Sequence, residues 1–161
     1  MYEHVHTTPE CSKVAERLYQ GSVPLPSGAV ARAGFTLLVL AAQEYQFPPS
    51  ASRQFGIPVV HAPIDDSELT EGEWRRAVSA ARVVAVRHRA GAKVLVTCAA
   101  GLNRSGLVTA LSIHLLTGCS GASAVRLVRE RRENALFNRS FVRRLKKLRP
   151  LLRLDPAAHY G

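Results

Sequence analysis

Cysteine is scarce: Cys11, Cys98 and Cys119 are the three in a chain of 161 residues. An odd number with no paired spacing argues against a disulfide framework or a cysteine-rich zinc site. It suits a reducing compartment, where free thiols persist. Long apolar runs are missing too, and none approaches the ~20 residues of a membrane span. Residues 1–13 lack the basic-then-apolar pattern of a secretory leader, so the expected location is cytoplasmic. His4, His6, His61, His88, His114 and His159 form no metal-ligand grouping, and no metal or other cofactor is expected. Internal repeats and low-complexity tracts are absent. The expectation is one domain over 1–161, with an irregular lead-in at 1–16 and a tail at 153–161.

Acidic residues are the other shortage, 12 against 22 Lys and Arg, for a net charge of +10. The deficit is local. Residues 1–90 hold nine Lys/Arg and nine Asp/Glu, whereas residues 91–161 hold thirteen against three, and 13 − 3 is the whole excess. A positive C-terminal half suits an anionic substrate and speeds its capture. It also suits an anionic polymer or lipid surface, so it does not select the partner. Within it, Arg143-Arg144-Leu145-Lys146-Lys147-Leu148-Arg149 reads best as the solvated face of an amphipathic helix, with a docking patch as the alternative.

Apolar residues are 47% of the chain and charged residues 21%, ordinary globular usage. Arg17–Gly21 reads as a short strand, followed by the breaker-rich Val23–Gly28 and a helical turn over 29–33 capped by Ser27. Phe35–Leu40 is a continuous apolar run, as in a strand buried on both faces. Gln43–Arg53 contains Pro48-Pro49-Ser50 and reads as a surface loop. Ile57–Ile64 carries two prolines and reads as an irregular or edge strand. Helical spacing covers Glu71 to about Arg89, then Ser105–Leu116, then Ser120 or Ser123 to Arg131, and lastly Asn138–Leu152. Strands alternating with helices predict an α/β fold with a mainly parallel sheet of four or five strands flanked by helices.

The chain is organised around residues 94–106, VLVTCAAGLNRSG. A β-branched run leads to Cys98. Five residues, Ala99, Ala100, Gly101, Leu102 and Asn103, separate it from Arg104, and Ser105 opens a helix. A short Gly-containing loop there turns its backbone N–H groups toward one point above a helix N-terminus, which suits a tetrahedral oxyanion. Arg104 adds a planar fork for two phosphate oxygens. Cys98 lies at the floor, where positive potential favours thiolate; such sites bring cysteine pKa values from about 8.5 to roughly 3.5–7.5.

Cys-x5-Arg-Ser between a strand and a helix resembles the signature loop of cysteine-dependent phosphatases. Gly three residues after the Cys, late in a small domain, resembles the dual-specificity group. Leu18-Tyr19-Gln20-Gly21 and Arg131-Arg132-Glu133-Asn134 through Phe141 are similar to that family's flanking segments, so the likeness covers about residues 17–149. The resemblance implies a metal-independent protein phosphatase working through a phosphocysteine on Cys98. Its general acid would be an Asp about thirty residues before the Cys. Asp65 and Asp66 stand at 33 and 32 residues, and the lead-in Ala62-Pro63-Ile64 favours Asp66, with Asp65 as the alternative. It implies that Ser105 assists departure of the sulfur, and that Arg131 and Arg132 are architectural or face substrate. Thr97 departs from the pattern, because the family usually has His before the nucleophile. Gly101–Gly106 also resembles the loop of RNA 5′-phosphatases of the same superfamily, which keeps RNA and phosphoinositide substrates beside phosphorylated proteins or peptides. A weakly active phosphate-binding module is the remaining alternative. A monomer is expected.

Overall fold

The computed structural model describes residues 8–46 and 51–151. Five strands form one sheet in the order β1-β2-β5-β3-β4. They are β1 Cys11–Ala15, β2 Leu18–Gly21, β3 Leu37–Ala42, β4 Val59–Ile64 and β5 Val94–Thr97. Strands β2, β5, β3 and β4 run parallel, and β1 is an antiparallel edge. The helices are α1 Ala29–Arg32, α2 Ala51–Phe55, α3 Glu71–Arg89, α4 Arg104–Thr117, α5 Gly121–Arg131 and α6 Arg139–Lys146. The expected α/β fold with a mainly parallel sheet is the fold observed.

Alternation explains why the apolar runs of β3 and β5 are continuous. Leu37, Val39 and Ala41 face one core with Val94, Val96 and Cys98, while Leu38, Leu40 and Leu95 face a second. The first core is closed by α3, α4, α5 and α6. The second is closed by Val30, Phe35, Phe55 and Ile57. Helix α4 is buried from Arg104 to His114. Each of Leu107, Val108, Leu111 and Ile113 contributes about 1.5–3 kcal/mol by leaving water, which fixes the helix that carries Arg104 and Ser105.

Central β5 pairs with β2 and β3 through all four of its residues. Its C-terminal end delivers Cys98 to the middle of the sheet. The parallel neighbours run the same way, so Ser22, Glu44 and Asp65-Asp66 emerge at that edge within two residues of the ends of β2, β3 and β4. Parallel sheets gather functional groups at the carboxyl ends of their strands for this reason.

Several expectations are corrected. Residues 11–15 are a strand, not part of an irregular lead-in. CSKVA buries one residue fully, Val14, and its order comes from ladder bonds to β2. The span 43–53 is not simply a loop: Gln43–Tyr45 is a 3₁₀ turn and α2 follows, held by the fully buried Phe55. Phe35 precedes β3 rather than opening it, and packs edge-on against Tyr19 at 5.2 Å. Helix α6 stops at Lys146, where the Lys147 N–H turns back to the Arg144 carbonyl (3.3 Å) and the Leu148 N–H to the Leu145 carbonyl (3.0 Å). Pro150 then disfavours helix at the residue before it. Ser120 rather than Ser123 caps α5, accepting the Ser123 N–H at 3.1 Å. Residues 1–7, Pro48-Pro49-Ser50, Leu152 and the 153–161 tail lie outside the described residues.

Candidate active site

The loop from Ala99 to Asn103 is anchored by its carbonyls. Ala99 O accepts the Val23 N–H (3.1 Å) and Leu102 O the Leu136 N–H (3.1 Å). Arg132 donates to Ala100 O (3.2 Å) and Gly101 O (2.6 Å), and Gln20 Nε2 to Gly101 O (2.9 Å). A trans peptide holds its N–H opposite its C=O. Pinning four successive carbonyls on the outside therefore turns the N–H groups of Ala100, Gly101, Leu102 and Asn103 toward the concave side. Gly101 has φ +74°, and a Cβ there would lie 2.4 Å from the Gly21 carbonyl carbon, so glycine is required.

Arg132, an architectural guanidinium, accounts for much of this. It is buried and also grips both carboxylate oxygens of Glu10 at 2.9 Å and Ser12 Oγ at 3.1 Å. Of the two arginines considered from sequence, this one belongs to the support beneath the loop. The Arg132 bond holds the Glu10 carboxyl down at about 2 from an ordinary 4.5. A depressed carboxylate lends stability above its unfolded pKa, and that stability is lost as pH falls through the folded value. Glu10→Gln is therefore expected to unfold earlier than the parent above pH 4.5, with the gap closing between pH 4.5 and about 2. The Glu10 side chain is 61% exposed, so the gap is small. Thermal midpoints of both proteins from pH 7 to 2 measure it; an undiminished gap at pH 2 rules the linkage out.

Cys98 is buried, and its Sγ lies 3.3 Å from Ser105 Oγ in hydrogen-bond contact. Arg104 is buried as well. Its two terminal nitrogens meet Glu44 in a bidentate pair, Nη1–Oε2 at 2.5 Å and Nη2–Oε1 at 2.7 Å, and Nη1 also donates to Ile64 O at 3.1 Å. Nε is buried and donates to no acceptor among the described residues. Glu44 thus takes the end of the fork and leaves the side edge, Nε–H with the second Nη2–H, for an anion. Burial works against the Arg104 charge. The Glu44 bond, together with the fields of Cys98, Glu44 and Asp66, outweighs it and raises the arginine's pKa further. Arg104 in turn holds the Glu44 carboxyl below its ordinary range.

The structure separates the two aspartates. Asp66 Oδ2 accepts from Asn103 Nδ2 at 3.1 Å, which ties it to the same loop as Cys98. Asp65 has other partners: its Oδ2 accepts from Ser67 Oγ at 2.8 Å and its N–H donates to Glu73 at 2.6 Å. Glu73 also completes a capping box with Thr70 at the start of α3. Burial raises the Glu73 carboxyl, but the N–H bonds from Asp65 and Thr70 outweigh it and bring it down. Thr97 is buried and donates to Val39 O at 2.8 Å, so its hydroxyl braces β5 against β3 and does not reach the loop.

Neither other cysteine stands ready to pair with Cys98. Cys11 is opposite Gly21, which is opposite Thr97, two strand spacings or about 10 Å away. Cys119 follows α4, whose length is roughly 20 Å. Disulfides need Cα atoms closer than about 7 Å.

The roles of Glu44, Gln20 and Glu73 escape a reading of the sequence alone. The available signal was position: a carboxylate two residues past a buried strand, and a glutamine inside one. Helix α6 is amphipathic, as its sequence predicts. Phe141, Val142 and Leu145 are buried, while Arg143 and Arg144 pair with Glu68 and Glu71 of the Asp66 segment. No helix among the described residues is long and apolar enough to cross a membrane.

Residues 18–150 match the family model described as dual specificity phosphatase, catalytic domain. Human DUSP28 is 26% identical, with 88% of this chain and 93% of that chain covered, at a TM-score of 0.73. A mouse putative dual specificity phosphatase, crystallised with zinc tungstate, is similar at 24% identity, 91% and 89% coverage and TM-score 0.74. PTPMT1 shares the fold at 16% identity, 85% and 92% coverage and TM-score 0.71. No curated protein sequence matches the chain. Glu10 and Ser12, which hold Arg132, precede the family-matched span.

Proposed function

The chain belongs to the dual specificity phosphatase family, and from that premise we propose that it hydrolyses phosphomonoesters of proteins or peptides through a phosphocysteine on Cys98. The observation that carries the reading is the convergence on one loop of Cys98 Sγ, Ser105 Oγ, the open edge of Arg104 and the Asp66 carboxyl.

The phosphate sits in the cradle, with its oxygens on the loop N–H groups and on the Nε–Nη2 edge of Arg104. Cys98, as thiolate, attacks phosphorus. An S–P bond forms as the bond to the substrate oxygen breaks, and Asp66 gives that oxygen its proton. The loop donors are already oriented, so the charge spread over the equatorial oxygens is met without reorganisation; a single such donor is worth about 3–4 kcal/mol elsewhere. Asp66, now ionised, takes a proton from the incoming water as it attacks phosphorus. The S–P bond breaks, inorganic phosphate leaves, and the Ser105 hydroxyl donates to the departing sulfur.

The test is a rate comparison across a phosphotyrosine peptide, a phosphothreonine peptide, 5′-triphosphate RNA and a phosphoinositide. Turnover of the peptides, inhibited by orthovanadate, is the expected result. Preference for RNA with a steep loss in salt would move the substrate class. No turnover of any of the four would leave only a phosphate-binding module.

A further inference from the structure

Asn103 is the N-cap of α4, yet its side chain caps nothing. An asparagine there ordinarily accepts an N–H from the first helical turn. Here Oδ1 instead accepts the Asn138 backbone N–H at 2.8 Å, and Nδ2 donates to Asp66 Oδ2 at 3.1 Å. Two things follow. The first-turn N–H groups of α4 stay free of side-chain competition beneath the anion cradle. The amide is also orientated: with Oδ1 fixed on a backbone donor, the face toward Asp66 is an N–H.

Asn138 repeats the device from another element. As N-cap of α6 it accepts the Phe141 N–H on Oδ1 at 3.2 Å, so its Nδ2 faces outward. That nitrogen donates to Asp66 Oδ1 and to Ser67 O, both at 2.9 Å. Each Asp66 oxygen therefore receives one N–H whose polarity is set by a backbone contact behind it. A carboxyl has about four acceptor sites, so each oxygen keeps one for chemistry. Ser140 Oγ accepts the Leu69 N–H at 2.9 Å and ties the same segment to α6 again.

We propose that Asn103 and Asn138 are positioning residues that hold the Asp66 carboxyl in register with the Cys98 loop, and that Asn138 thereby makes the first turn of α6 part of the acid's mounting. The proposal rests on Asp66 being the general acid. Placement of a catalytic group governs its rate contribution; misplacement by about 1 Å can cost on the order of 10²-fold.

The discriminating readout is a leaving-group series. Phenol needs a proton as it departs, having a pKa of about 10, whereas dinitrophenol is a far stronger acid and departs as the anion. Asn138→Ser keeps an oxygen for the Phe141 N–H and so keeps the α6 cap, but removes the donor to Asp66. Its kcat/KM on phenyl phosphate is expected to fall about tenfold further than on dinitrophenyl phosphate, with the thermal midpoint held. In an Asp66→Asn background the same substitution is expected to add nothing on phenyl phosphate. Equal losses on both esters, or no loss on either, overturn the proposal. Asn138→Asp, also a strong cap, replaces Asn138→Ser should the latter fail to fold, with the same outcomes. A parent protein that turns over neither ester defeats the phosphatase reading itself. A parent whose phenyl phosphate activity depends on Asp66 but not on Asn138 defeats this inference alone.

Discussion

Cys98→Ser is expected to lower kcat on an aryl phosphate by about 10⁴-fold or more while inorganic phosphate still binds. Removing a nucleophile from an otherwise intact site elsewhere costs on the order of 10⁶ in kcat. A serine hydroxyl is a poor substitute here, because it must lose a proton to attack, and in that step Asp66 already carries the proton it gives to the leaving oxygen. Binding survives because it depends on the loop amides and on Arg104, which Glu44, Ile64, Arg132 and Gln20 hold independently of the sulfur. Steady-state rates and calorimetric titration with phosphate make the pair of measurements. Undiminished turnover moves the nucleophile away from Cys98; lost phosphate binding with the fold retained assigns the sulfur to the anion site itself.

Asp66→Asn carries the next largest effect, a fall of roughly 10²–10⁴-fold on phenyl phosphate, the usual contribution of a positioned general acid. Asp65→Asn is expected to stay within about threefold, since that carboxylate receives the Ser67 hydroxyl and touches no residue of the Cys98 loop. Parallel rate measurements on the two variants settle which carboxyl transfers the proton. The reverse order would place the proton on Asp65 and remove the purpose of the two asparagine contacts.

Thr97 bears on how such a site is kept rigid. The resembled family usually has His before the nucleophile. Here the Thr97 hydroxyl is spent on the Val39 carbonyl, and the loop is held from outside by Arg132, Gln20, Val23 and Leu136. Arg132 is in turn held by Glu10, which precedes the family-matched span. The loop in this chain is thus braced without an imidazole before the nucleophile.

What the linear order of residues determined was whatever is local or periodic. The apolar run at 35–40, the helical spacing from Glu71 and the strand-loop-helix at 94–117 each carry their own signal, because side-chain burial repeats with the period of the backbone. The Cys98-to-Arg104 spacing belongs with them, since a loop of five residues brings its own ends together. What only tertiary structure decided was every contact between groups distant along the chain. Glu44 meets Arg104 across sixty positions, Arg132 reaches Glu10 across one hundred and twenty-two, and Asn138 selects Asp66 over Asp65 across seventy-two. Parallel strands cause this: each crossover returns the chain to the same edge of the sheet, so partners there are neighbours in space whose separation in sequence is set by helices that take no part in the chemistry.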